Sequence, residues 1–107
     1  PRFPMPQGSL AMLVLRVLQS GSLHGYAIAQ RIRSLSDAVL EAEEGSLYPT
    51  LQRMLMEDWV SAEWGVSETG RRVRFYSLTK AGKQQLKREI AEYEQVSAAI
   101  HAILETA

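Results

Sequence analysis

The spacing of apolar residues changes character twice along this chain, and those changes constrain the fold more than any other feature. Leu10, Leu13, Val14, Val17 and Leu18 recur at the period of a helix face. Gly25, Ile28, Ala29 and Ile32 share one face of a second, shorter helix from about His24 to Ser34, and Leu47, Leu51, Met54 and Leu55 mark a third from about Ser46. The pattern then switches to alternation in Trp59–Trp64 and again in Val73–Leu78, which predicts two strands. From Leu86 it switches back: Leu86, Ile90, Tyr93, Ser97, Ile100 and Leu104 are spaced 4, 3, 4, 3 and 4 residues apart, a heptad seam widened by Val96 and Ile103.

Local signals punctuate these segments. Ser9 stands at the N-cap of the first helix and Gly21 at its stop. Pro49 falls in the expected first turn of the third helix, where a missing N–H costs little. Gly65 to Arg72 reads as the hairpin loop, and Thr79 as the cap of the last helix. Two strands alone are marginal in water, so the hairpin must pack on the helices. The expected fold class is α+β, mainly helical: a winged helix-turn-helix of three helices plus a two-stranded wing, with a long C-terminal dimerisation helix. Residues 1–78 are expected to form the winged helix-turn-helix unit, 1–7 being an irregular arm, and residues 79–107 the helix. So small a body cannot cover that last helix along its whole length, and its seam is therefore expected to meet another chain.

Charge narrows the function. The twelve basic and twelve acidic residues cancel, yet Arg71, Arg72, Arg74, Lys80, Lys83, Lys87 and Arg88 form a stretch with no acid in it. A charged partner meets that local field rather than the net charge. The chain has no cysteine, and His24 and His101 lie 77 positions apart, which leaves no thiolate chemistry and no local metal-ligand pair. No nucleophile–His spacing or Gly-rich phosphate motif occurs, so an enzyme is not expected, and neither is a cofactor. The longest apolar run is six residues, Leu10 to Leu15, far short of the ~20 that span a bilayer; a soluble cytoplasmic protein is expected.

Particular residues then become familiar. Leu23-His24-Gly25-Tyr26, Glu44 to Leu51 (EGSLYPTL), Glu63-Trp64-Gly65 and Gly70 to Gly82 (GRRVRFYSLTKAG), in this order and spacing, resemble the PadR family of bacterial transcriptional regulators. The likeness runs from about Gln7 to Leu104 and fits the short subfamily with a single terminal helix. It implies a homodimeric winged-helix protein that binds double-stranded DNA at a palindrome-like operator, usually as a repressor. A recognition helix enters the major groove by its N-terminal part, which here puts Ser46, Pro49, Gln52 and Arg53 toward the DNA with Tyr48 and Thr50 on the flanks. Gln52 suits adenine, and Arg53 suits either guanine or a phosphate. Tyr48 packs beside the first turn or touches DNA. Glu44, just before the helix, is expected to stabilise its dipole. Arg71, Arg72 and Arg74 on the wing suit phosphates or the minor groove, with Lys80 and Lys83 extending the track. Tyr26 is expected in the core, with a backbone phosphate beside His24.

Leu86, Ile90, Tyr93, Val96, Ile100, Ile103 and Leu104 are the candidate dimer residues. Tyr93 is similar in position to an aromatic that lines an intersubunit cavity in some relatives, and with an exposed Trp64 it is the candidate contact for a small aromatic effector. The competing class is a winged helix that docks a protein partner through its terminal helix, with an incidental basic stretch.

Overall fold

A short arm, three helices, a small sheet and one long helix are seen in the computed structural model, which describes residues 2–6 and 8–106. The core grows from α1 (Leu10–Leu18), whose Val14, Leu15 and Leu18 are fully buried. Ser9 occupies the N-cap position but keeps a helical backbone and makes no side-chain cap bond; its carbonyl accepts the Leu13 N–H at 3.1 Å instead. Gly21, at φ +145°, stops the helix as expected.

Leu23–His24 is a strand, so α2 begins one residue late and spans Gly25–Leu35. Its end is a Schellman turn: the Ala38 N–H donates to Arg33 at 2.7 Å and the Asp37 N–H to Ser34 at 3.2 Å. Asp37 and Ala38 carry the positive φ that a glycine would normally supply. The acidic connection that follows contains the two-residue strand Leu40–Glu41, which pairs in parallel with Phe3–Pro4. The arm, expected to be irregular, is therefore tied down in part. The Phe3 N–H donates to Val39 at 2.8 Å, and Arg2 pairs with Glu41 at 2.9 Å; residues 1 and 7 lie outside the described residues. In chain order β1 is Phe3–Pro4, β2 Leu23–His24 and β3 Leu40–Glu41.

α3 spans Glu44–Met56 and starts two residues before the expected Ser46. Pro49 is thus its sixth residue rather than a first-turn one, and Gly45 loses the N–H that its carbonyl would otherwise accept. Leu47, Leu51 and Met54 are buried against α1 and α2. A second Schellman turn ends the helix, with Asp58 at φ 60° and the Trp59 N–H donating to Met54 at 2.9 Å. That turn feeds the chain straight into β4 (Val60–Val66).

β4 pairs antiparallel with β5 (Arg72–Leu78), in register from Val60↔Leu78 to Val66↔Arg72. The ladder takes in Gly65, Val66 and Arg72, all expected in the loop, which shrinks to residues 67–71. It closes through Ser67, whose N–H donates to Arg71 and whose hydroxyl accepts the Arg71 N–H at 3.2 Å, with Gly70 at φ 81°. β2 adds to the other edge of β5, so the expected two-stranded wing stands on a three-stranded base, order β2-β5-β4. A strand of two residues carries no periodicity to read, which is why it escaped the sequence pattern.

α4 (Lys80–Thr106) is capped by Thr79, whose hydroxyl oxygen accepts the Gly82 N–H at 3.0 Å and whose O–H donates to the Asp58 carbonyl at 2.6 Å. Leu86, expected on the intersubunit seam, is only 2% exposed and belongs to the core of its own chain, with Ile90 packed against that core. The first turns of α4 therefore complete the winged-helix body.

Candidate nucleic-acid interface

With Leu47, Leu51 and Met54 turned inward, α3 leaves Ser46, Pro49, Gln52 and Arg53 exposed on its other side, as the period requires. Thr50 is half-buried and its hydroxyl donates to the Ser46 carbonyl at 2.8 Å, so that hydroxyl is already engaged. Tyr48 remains exposed, but its ring rests on the start of α2. A Cβ on Gly25 would stand 2.7 Å from the Tyr48 hydroxyl, so the ring lies this close to α2 because residue 25 has no side chain. Tyr48 thus packs and still offers an edge. Arg53 is exposed too, yet its guanidinium sits 5.8 Å from the centroid of the Trp59 ring, drawn toward the turn that leaves α3.

In the wing, directly opposed residues share a face. Val60 with Leu78 and Ala62 with Tyr76 lie over the core; farther out come Trp64 with Arg74, and Val66 with Arg72. This one face runs from buried base to free tip. The Arg72 guanidinium lies 4.7 Å from the Trp64 ring centroid, and that of Arg74 lies 5.7 Å from Trp64 and 6.0 Å from Tyr76. Arg74 is consequently half-buried, and its Nε is shielded with no hydrogen-bond partner. Burial pushes the Tyr76 hydroxyl above the usual phenol pKa, Arg74 opposes that rise, and Tyr48 adds to it. Arg71 is exposed in the loop, and Lys80 and Lys83 are exposed on α4.

The expectation for Tyr26 needs correction. Tyr26 is not in the core: it is exposed, its ring is parallel to that of His24 with centroids 6.5 Å apart, and its hydroxyl accepts from Gln30 at 2.7 Å. The period of α2 sets it with the exposed Gln30 and Arg33, away from the buried face of Gly25, Ile28 and Ile32. Trp64 lies on the wing beside the Arg72 and Arg74 guanidinium groups, outside the lining of the cleft next to Tyr93 in the single chain. The open cleft of about 610 Å³ beside Tyr93 is lined instead by Trp59, Met12, Arg53, Glu57 and Glu89. Along α4, Tyr93, Val96, Ile100, Ile103 and Leu104 are 52–71% exposed. Among the described residues no group of three or more His, Asp or Glu is placed to hold a metal ion, and no helix is long and apolar enough to cross a membrane.

The described residues therefore combine a helix whose free side is polar, a basic wing beside it and a long terminal helix. The family described as transcriptional regulator PadR-like matches residues 14–88, most of the chain. The chain belongs to the PadR-like family. A transcriptional regulator from Clostridium thermocellum superposes with a TM-score of 0.82 at 26% identity, covering 90% of this chain and 93% of that one. A PadR family regulator from Eggerthella lenta gives 0.78 at 28% identity, over 94% and 86%. In sequence, the negative transcriptional regulator PadR of Bacillus subtilis is 27% identical over 77 residues, 72% of this chain and 42% of that relative. As a PadR-like protein the chain is a transcriptional regulator with a winged-helix DNA-binding fold, and the family is one of regulators rather than enzymes.

Trp64 is the residue of this interface that sequence reasoning assigned elsewhere. The signal was present: in an antiparallel hairpin, once Trp64 opposes Arg74, the pleat sets both on the face of Arg72. The register had to be known to use it.

Proposed function

We propose that the chain is a homodimeric, sequence-selective DNA-binding repressor that places α3 in the major groove and the wing along the backbone or in the minor groove. The observation that carries this is the free polar side of α3, where Ser46, Gln52 and Arg53 are exposed, together with a wing whose Arg71 and Arg72 are exposed and form no ion pair among the described residues. Gln52, exposed and free of internal hydrogen bonds among those of the described residues, is the base-reading candidate. Arg71 and Arg72 supply phosphate or minor-groove contacts, and the positive end of α3 favours a phosphate near Ser46. Repression follows from the likeness to the negative regulator of Bacillus subtilis. The seam from Tyr93 to Leu104 is what a second copy covers, and two copies require two half-sites about 34–36 Å apart or a multiple of that. A small aromatic effector, where the regulator takes one, belongs to the cleft beside Tyr93 and Trp59.

Fluorescence anisotropy on genomic fragments at several salt concentrations, with the mass of the free protein measured alongside, tests the proposal. The expected result is a dimer that selects a two-fold site and loses affinity steeply with salt. A dimer indifferent to DNA at low salt would transfer α4 and its cleft to a protein partner.

Two variants separate the roles within the site. Arg72→Ala is expected to weaken binding to all DNA sequences alike and to lower the salt slope by about one; an unchanged slope removes Arg72 from the phosphates. Gln52→Ala is expected to cost ~1–3 kcal/mol on the selected site and little on random DNA. Equal losses on both would mean that Gln52 reads no base.

A further inference from the structure

A surface arginine on a lone chain usually leans on a carboxylate, and here the wing arginines do not. The only ion pair among the described residues is Arg2 with Glu41, at the far end of the sequence. Arg72 lies on an indole instead, 4.7 Å from its centroid, and Arg74 approaches the same ring at 5.7 Å and the Tyr76 ring at 6.0 Å. The indole is 61% exposed. Burying it in the fold is evidently not its role.

We propose that Trp64 is a positioning residue: it holds the Arg72 and Arg74 guanidinium groups ordered before DNA arrives, with their hydrogen-bonding edges free. The inference rests on the DNA-binding reading above and adds a residue to it. A carboxylate partner would occupy the N–H groups that a phosphate needs and would cancel the charge that draws it. An aromatic face does neither: it holds the guanidinium through its π cloud and leaves the in-plane donors pointing outward. A long arginine otherwise loses much of its rotamer freedom at the moment of binding, and ordering it beforehand removes part of that cost. The cross-strand register makes the platform rigid, because Trp64 stands directly opposite Arg74 and one diagonal step from Arg72. The shielded, unpartnered Nε of Arg74 fits the same arrangement, since it leaves the terminal nitrogens as the outward donors of that side chain.

The test uses the full chain and two readouts. In the absence of DNA, nitrogen relaxation of the Arg72 Nε is expected to report an ordered side chain that becomes mobile in Trp64→Ala and is partly restored in Trp64→Phe. On the selected DNA site, Trp64→Ala is expected to weaken binding about fivefold with the salt slope unchanged, since no charge is lost. Arg72→Lys, which keeps the charge but not the flat stack, is expected to show a similar loss in the wild-type background and no further loss in Trp64→Ala. Thermal unfolding of Trp64→Ala is expected at the wild-type midpoint, which separates positioning from a general loosening of the wing. Wild-type affinity in Trp64→Ala overturns the proposal, and so does an Arg72→Lys cost that is the same in both backgrounds, which would make the indole a direct DNA contact. If Arg72 is ordered as described but the wild-type protein selects no DNA, the failure lies in the DNA-binding reading and takes the purpose of the platform with it; a mobile Arg72 in the wild type rejects the platform itself.

Discussion

Gly82→Ala is expected to destabilise the fold by ~3 kcal/mol, a large share of the stability of a small domain. Gly82 lies in the first turn of α4, where the helix crosses the chain leaving α3. A Cβ there would overlap the Trp59 carbonyl oxygen, stand 3.0 Å from the Trp59 carbonyl carbon, and sit 2.8 Å from Leu78 Cδ1. The side chain of Leu78 can give way, but the carbonyl cannot. Trp59 is fixed on its amide side by the bond to Met54 at 2.9 Å, and its carbonyl accepts the Thr79 N–H at 3.1 Å. Thr79 in turn spans Gly82 and Asp58 through its hydroxyl. A methyl group at 82 must therefore push α4 away from this knot, and it would uncover Leu86 beneath. The ~1 kcal/mol that alanine gains over glycine in a helix does not offset that. Thermal and urea unfolding measure the effect, expected at about 4–8 °C per kcal/mol; an unchanged midpoint would show that the crossing is looser than described. Gly25→Ala makes the contrast. Its Cβ meets only the tip of Tyr48 at 2.7 Å, a side chain open to solvent that can swing aside, so a loss below about 1 kcal/mol is expected in the same experiments.

The contrast also shows what was legible in the sequence. The stripe from Leu10 to Leu18, the alternation in Val73–Leu78 and the Thr79 cap follow from bonds between near neighbours, and each appears where its spacing indicated. The pairing of Phe3–Pro4 with Leu40–Glu41 joins segments far apart in sequence through two residues each, too few to show a period. The helix ends at Asp37 and Asp58 lacked the glycine that usually announces them, because aspartate tolerates the left-handed backbone there. Leu86 and Ile100 belong to one heptad seam, and periodicity states only that a face is apolar; it does not say whether the same chain or another one covers it. The polar side of α3 was readable from its period alone. The neighbours of Arg53 and Arg72 were not, since Trp59 reaches Arg53 through the Schellman turn and Trp64 reaches Arg72 through strand register.

Ile100→Asp is expected to convert the protein from two chains to one at micromolar concentration and to lower its affinity for a two-half-site operator by about 10²–10⁴-fold. The winged-helix core closes without Ile100: Leu86 is the last fully buried residue of α4, and beyond it the seam at Tyr93, Val96, Ile100, Ile103 and Leu104 stands open. Covering one isoleucine is worth ~1.5–3 kcal/mol. A two-fold interface loses that twice and gains two carboxylates in an apolar setting. The combined loss of about 5 kcal/mol raises the dissociation constant by roughly 10³–10⁴. Helix geometry links this loss to DNA, because α4 has 27 residues, which at 1.5 Å each makes about 40 Å, comparable with one turn of the duplex. In the proposed dimer, two such helices paired would hold the two α3 helices at half-site spacing, whereas single chains would have to find each half-site alone. The substitution leaves Gln52, Trp64 and the wing arginines untouched, so weak binding to an isolated half-site is expected to persist with its salt dependence per chain intact. Light scattering and anisotropy on full and half operators separate these terms. A variant that stays two chains would show that the cover over α4 lies elsewhere on the helix, and a monomer with undiminished operator affinity would show that pairing contributes nothing to DNA selection.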